Sequence, residues 1–206
     1  TDSFVAKKLQ EAGAVLLGKT AVGALAYGDI WLDNKTNNPW NLELSPGGSS
    51  GGSAAALASG MTGLDAGSDI GSSIRNPAHF CGLFGHKPSY GVVTPRGHMM
   101  PNTLTYADIS VVGPLSRSAE DLKIALDVMA GPDETDSPGW KLNLPSSTKT
   151  RLADFKVAVM LREPNSAVDR EMTDVLQSLV EKLAAAGVTI DDAARPDVDF
   201  YRAHEL

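Results

Sequence analysis

Two serine–glycine segments dominate what this chain can fold into. They are Ser45-Pro46-Gly47-Gly48-Ser49-Ser50-Gly51-Gly52-Ser53 and Gly67-Ser68-Asp69-Ile70-Gly71-Ser72-Ser73-Ile74-Arg75. Flexible linkers do not carry apolar residues that need burial, yet Ala54 to Leu57, Ile70, Ile74 and Phe80 are woven through these. Glycine beside a hydroxyl lets main-chain N–H groups approach a ligand closely. The stretch 62–98 is rich in Gly, Ser and Pro but poor in charge, which reads as a folded loop system. Consecutive N–H groups from Ile70 to Ser73 are spaced to converge on one anionic oxygen, the geometry of an oxyanion hole.

The flanking sequence predicts an α/β fold. Residues 3–12 (SFVAKKLQEA) read as a helix capped by Ser3, with Phe4, Val5 and Leu9 on one face and Gly13 as its stop. Ala14 to Leu17 reads as a buried strand. Residues 28–50 are loop-like, and 53–60 suit a helix of small side chains. Ser118-Ala119-Glu120-Asp121 resembles a capping box opening a helix to about Met129, stopped by Gly131-Pro132. Residues 132–150 read as a polar surface loop. A strand–helix–strand unit follows: Phe155 to Leu161, a helix over about 169–186, and Val188 to Ile190. Met172, Val175, Leu176, Leu179, Val180 and Leu183 form that helix's expected core stripe. The expected architecture is a mixed β-sheet core with helices on both faces, in a single domain over 1–206.

With 206 residues, 42% of them apolar and 21% charged, the chain can bury one sizeable core. A net charge of −7 argues against a nucleic-acid groove. No apolar run spans a membrane. The single cysteine, Cys81, excludes an internal disulfide and a thiolate metal cluster, and fits a cytoplasmic location. The chain opens on Thr1 almost directly at a helix and stops at Leu206 as another begins, so it reads as a piece of a longer protein, incomplete at both ends.

Two short motif matches lose to physics. Gly13 to Thr20 (GAVLLGKT) fits the Walker A pattern letter for letter. A phosphate loop follows a strand, however, and its middle residues must curl. Here a helix precedes, and Val15, Leu16 and Leu17 favour strand, which makes Lys19 a strand-end residue. Gly47 to Gly51 fits the GxSxG nucleophile elbow. Its preceding segment, WNLELSP, is a poor strand because Pro46 lacks a donor. Among His79, His86, His98 and His204, none stands in a context that marks it as a triad base.

The stretches PGGSSGGSAAALASG, GSDIGSSIRNPAHFCGLFGHKPSYG and VVGPLSRSAEDL together resemble the amidase signature family. The likeness continues through AGAVLLGKT, NPWN, GPDETDS and the 155–190 unit, and so covers most of the chain. It implies a partial amidase signature fold and amide hydrolysis by a serine, cis-serine and lysine triad. Ser73 falls on the nucleophile, Ser49 on the bridging serine, and Ile70, Gly71, Ser72 and Ser73 on the oxyanion donors. Asp69 and Arg75 are expected to buttress the loop, with Ser50 and Ser68 behind it. A buried lysine can be neutral near pH 7 and serve as base, so no histidine, metal or cofactor is required.

Two departures bear on this reading. The family's lysine lies in a segment ahead of the 3–12 helix, and neither Lys19 nor Lys87 fits its motif, so these 206 residues alone are expected to lack activity. Ser72 stands where glycine is usual, which is acceptable only with negative φ or tolerated strain. After Thr20, AVGALAYG lacks the acidic and asparagine pattern of the family's amidotransferase members, the A-type chains that draw ammonia from glutamine, which favours a stand-alone amidase. The implied partner is a small-molecule amide, with no nucleic acid or membrane. A homo-oligomer is compatible with it. His98, Met99 and Met100 are candidates for an acyl pocket, with ordinary packing as the alternative.

Overall fold

The computed structural model describes residues 2–98, 105–163 and 166–205. The chain divides into two compact units, Thr1–Asn143 and Leu144–Leu206. The division falls inside the 132–150 loop, which holds no helix or strand. The start of that loop is anchored: Asp133 is buried and accepts from the Thr135 and Asp136 amides at 2.8 and 3.2 Å.

The first unit is built on three antiparallel strands in the order β3-β5-β4, with β3 at Leu64–Asp69, β4 at Phe84–Gly85 and β5 at Val111–Ser116. A short pair, β1 (Ile30–Trp31) and β2 (Asn34–Lys35), stands apart from this sheet. β5 is buried along its whole length because helices cover both faces. Strand side chains alternate, so Leu115 joins one cluster and Val112 the other. On the Leu115 side lie α2 (Gly51–Ala58) and α3 (Arg75–Cys81), contributing Ala54, Leu57, Ala78 and Cys81, with Ile74 from the residue just before α3. On the Val112 side lie α1 (Phe4–Glu11) and α4 (Ala119–Met129), contributing Val5, Ala125 and Met129. Each large apolar side chain fully buried here contributes about 1.5–3 kcal/mol.

Local sequence sets these helix ends. The Ser3 hydroxyl accepts from the Ala6 amide at 3.2 Å, and Gly13 leaves α1 with φ of +92°. The Ser118 hydroxyl accepts from Asp121 N–H at 3.0 Å and opens α4. Glycine also sets how closely layers meet. Gly67 and Gly113 are cross-strand partners, and a Cβ on either would strike Ser50 Oγ at 2.7 Å or the His86 carbonyl at 2.3 Å. The bare backbone there lets the serine loops settle onto the sheet.

One expected strand does not form. Ala14 to Leu17 is extended but exposed, and among the described residues no main-chain partner bonds Val15 to Lys19. Apolar β-formers become a strand only with a neighbour to satisfy their N–H and C=O groups. Lys19 is therefore a surface residue and not a strand end.

The second unit contains β6 (Lys156–Ala158), α5 (Arg170–Ala185) and β7 (Thr189–Asp191), with β6 and β7 parallel, and ends with α6 (Phe200–Glu205). Antiparallel and parallel pairing thus both occur, in separate sheets. The expected stripe on α5 is only half covered. Leu176, Val180 and Leu183 are partly buried, while Met172, Val175 and Leu179 are exposed. Two strands are too narrow to cover a helix face of that width.

Candidate active site

The two serine–glycine segments meet on the α2/α3 side of the sheet. Asp65, Gly67 and Asp69 share one face of β3 by the two-residue period, and α2 packs against that face. β3 ends at Asp69. The chain then turns through Ile70 to Ser73 and enters α3. The other segment runs from Pro46 through Ser50 into α2, with no strand before it, as the poor elbow match predicts.

Ser49 and Ser73 are both buried, and the peptide between Gly48 and Ser49 is cis. The Ser50 amide donates to the Ser73 carbonyl at 3.3 Å, so the two main chains touch at the residue that follows Ser49. Behind them, the Gly23 amide donates to the Ser49 carbonyl and the Gly52 amide to the Ala21 carbonyl, each at 3.1 Å. No side chain fits between these layers. A Cβ on Gly48 would lie 2.0 Å from the Gly28 carbonyl oxygen, and one on Gly52 2.5 Å from the Ala21 main chain.

Asp69 organises the turn. Fully buried, its carboxylate accepts from the Ser72, Ile74 and Arg75 amides at 2.9, 3.1 and 3.2 Å. Arg75 adds a bidentate pair through Nε and Nη2, at 3.1 and 3.0 Å. Burial alone would raise the Asp69 pKa. The Arg75 guanidinium and the three amides outweigh it and hold the carboxyl below its ordinary value. Asp69 and Arg75 are thus paired within the turn.

Other expected residues are placed differently. The Ser72 N–H points to Asp69, so it is not a free donor. Serine at 72 also takes φ of +85°, the conformation that glycine would accept without strain. Ser68 shares the β3 face of Leu64 and Ala66, turned away from α2. Ser50, by contrast, packs over Gly67 inside the site. Ile70 and Gly71 are exposed, and a Cβ built on Gly71 meets nothing within 4 Å, so the turn faces open space. His98 is exposed in a turn closed on the Pro95 carbonyl. Met99 and Met100 lie outside the described residues.

Sequence reasoning missed several supporting groups. Thr20 Oγ1 lies 2.9 Å from Ser53 Oγ, and Ser53 in turn bonds Asp65, whose carboxyl burial pushes upward in pKa. The Asn76 side chain accepts from the Gly48 amide at 3.1 Å. Burial raises the Cys81 thiol to about 11, and its Sγ contacts the Pro46 carbonyl, so it is an inert packing group. Among the described residues no three His, Cys, Asp or Glu side chains gather as a metal site, and no helix is long and apolar enough to cross a membrane.

This combination of fold and paired glycine–serine turns defines the class: the Amidase family model matches residues 1–203, and the chain belongs to that family, the amidase signature enzymes. Its curated relatives include the A component of the glutamyl-tRNA(Gln) amidotransferase of Sulfolobus acidocaldarius, 41% identical over 199 residues that cover 92% of this chain and 40% of that protein. The same component of the Synechococcus elongatus enzyme is 40% identical over 202 residues, covering 95% and 40%. Among solved structures, its counterpart from Thermotoga maritima superposes with a TM-score of 0.80 at 31% identity, over 92% of this chain and 42% of the other. Fatty acid amide hydrolase gives 0.83 at 28%, over 96% and 36%. The chain thus spans about two fifths of the length of the curated relatives it matches.

Proposed function

We propose that this chain carries the nucleophile half of an amide-hydrolysing centre. Ser73 Oγ attacks the amide carbonyl and gives its proton to Ser49, which passes it to the lysine of the family motif. No lysine within residues 1–206 fits that motif. The proton returns through Ser49 to the leaving amine, and water releases the acyl group from Ser73. Free N–H groups of Ile70, Gly71 and Ser73 face the developing oxyanion. Each such donor is worth about 3 kcal/mol of barrier. Asp69, clamped by Arg75, keeps the turn in shape by engaging the Ser72 and Ile74 amides instead.

The observation that carries this reading is the seating of Ser49 beside Ser73: both are buried, and their segments are bonded main chain to main chain through Ser50. The implied partner is a small-molecule amide, and a cytoplasmic location suits it. The test is covalent. In the protein as its gene encodes it, an alkyl fluorophosphonate is expected to modify the peptide containing Ser73, and Ser73→Ala to abolish the adduct. Modification elsewhere, or none, overturns the assignment. The 206 residues alone are expected to turn over no amide. Turnover by them that is lost in Ser73→Ala would overturn that part.

A second reading has its own support. The curated relatives above are amidotransferase components, and if this chain shares their role the same chemistry would release ammonia from glutamine. Against it stands the apolar run AVGALAYG after Thr20. Ammonia release from glutamine, compared with turnover of alkyl and aryl amides, separates the two.

A further inference from the structure

The Gly48–Ser50 stretch lies outside any helix or strand, so its position depends on what grips its main chain. The Ser50 amide is held by the Ser73 carbonyl and the Ser49 carbonyl by the Gly23 amide. The Gly48 amide is held by Asn76 Oδ1 at 3.1 Å. The first two grips are main chain to main chain. Among the described residues, Asn76 is the only side chain that hydrogen-bonds a main-chain group of Gly48, Ser49 or Ser50.

Asn76 comes three residues after Ser73, one turn further along the chain, and its own amide donates to the Ser72 carbonyl at 2.7 Å. The same turn therefore grips the serine loop twice. The Ser73 carbonyl takes the residue after Ser49, and Asn76 takes the residue before it. Packing closes the arrangement. Gly47 has φ of +77°, and a Cβ there would lie 2.6 Å from Asn76 Oδ1 and 2.8 Å from Pro77 Cα. The loop rests directly on the carboxamide, with no room for a side chain at Gly47.

We propose that Asn76 is a positioning residue that sets the separation of the Ser49 and Ser73 hydroxyls by holding the Gly48 amide. The inference rests on the reading of Ser73 as nucleophile and Ser49 as its proton relay. Proton transfer along hydroxyls tolerates little misplacement, and a shift of about 1 Å costs about a hundredfold in rate. Asn76 acts only through Gly48, so it governs the reactivity of Ser73 and not the affinity for substrate.

The test uses the full gene product and an alkyl fluorophosphonate. Asn76→Ala is expected to lower kinact for Ser73 by about ten- to a hundredfold, with KI unchanged and thermal midpoint little moved. Asn76→Asp keeps an acceptor oxygen of the same reach and is expected to restore kinact to within about threefold. Hydrogen exchange at the Gly48 amide is expected to quicken in Asn76→Ala and not in Asn76→Asp. Labelling of Asn76→Ala within twofold of wild type overturns the inference. So does a loss that follows the thermal midpoint and is equal in both variants. If wild type itself fails to label at Ser73, the parent reading falls. The exchange measurement then still decides whether Asn76 holds Gly48, and exchange unchanged in Asn76→Ala overturns that too.

Discussion

Ser49 is 2% exposed and Val15 is 81% exposed, an inversion of what hydrophobicity alone dictates. The contrast extends to whole segments. Residues 46–54 are mostly glycine and serine and are almost wholly enclosed, whereas Val15 to Leu17 and half the apolar stripe of α5 face outward. Burial here follows available neighbours. Small residues are enclosed because main chains can approach one another only where no Cβ intervenes. The apolar runs stay open because no described element lies against them. The serine core is held by hydrogen bonds and close backbone contact, and its tolerance to substitution should be set by geometry instead of polarity.

The largest expected effect tests that claim with one methyl group. Gly48→Ala is expected to cost about 3 kcal/mol or more, because the three atoms nearest its Cβ, at 2.0 to 2.9 Å, all belong to the Gly28 main chain. Gly71→Ala, in the same site, should leave the urea midpoint within about 0.5 kcal/mol of wild type. It should nevertheless abolish fluorophosphonate labelling in the full protein, since its methyl group enters the open space beside the turn. Equal midpoints for the two variants would remove the distinction between closed and open sides of the site.

Asp69 comes next. Asp69→Ala strands a guanidinium and three amides, and with Arg75 partly exposed the cost should be about 3 kcal/mol. The pH signature has a definite sign. The folded carboxyl sits below its unfolded value, so its contribution is fully present above about pH 4 and fades as pH falls through the folded pKa. Acid denaturation of wild type against Asp69→Asn should show this extra slope in wild type only. Equal slopes would mean that the clamp does not hold in solution.

Part of this was legible beforehand. Ser3, Gly13 and Ser118 mark helix ends through local chemistry, so α1 and α4 could be read from short range. Asp69 and Arg75 sit six apart around one turn, near enough for their pairing to be anticipated. Three things needed the third dimension. Ala14 to Leu17 has strand character but lacks a partner, which no local pattern reports. Ser68 and Asp69 are adjacent in sequence, yet β3 sends them to opposite faces. The Ser72 N–H is consumed by a carboxylate three residues earlier, so counting consecutive amides overstates the donors left for an oxyanion.

A smaller effect comes from Ser72. Its φ of +85° costs an L-residue about 1–2 kcal/mol, and glycine would give back about 0.5–1 kcal/mol of that in unfolded-chain entropy. Ser72→Gly is expected to stabilise by about 0.5–1 kcal/mol, seen as a higher urea midpoint with unchanged m-value. Destabilisation instead would mean that the Ser72 side chain makes a contact worth more than the strain.

The smallest expected effect lies at the opposite pole of the comparison. Leu17→Ser removes a large apolar side chain, the kind of change that costs about 2–5 kcal/mol at a fully buried position such as Leu57. Transfer free energy scales with the area withdrawn from water, and Leu17 remains 73% exposed, so little is withdrawn. Among the described residues, its main chain makes no ladder bond for the side chain to protect. Leu17→Ser in this 206-residue chain is therefore expected to change the urea midpoint by less than about 0.5 kcal/mol, with Leu57→Ala as the buried control. Running the same pair in the full gene product sharpens the contrast. A cost at Leu17 that rises toward that of Leu57 only there would mean that the run from Val15 to Leu17 is covered in the full protein and is a core strand after all.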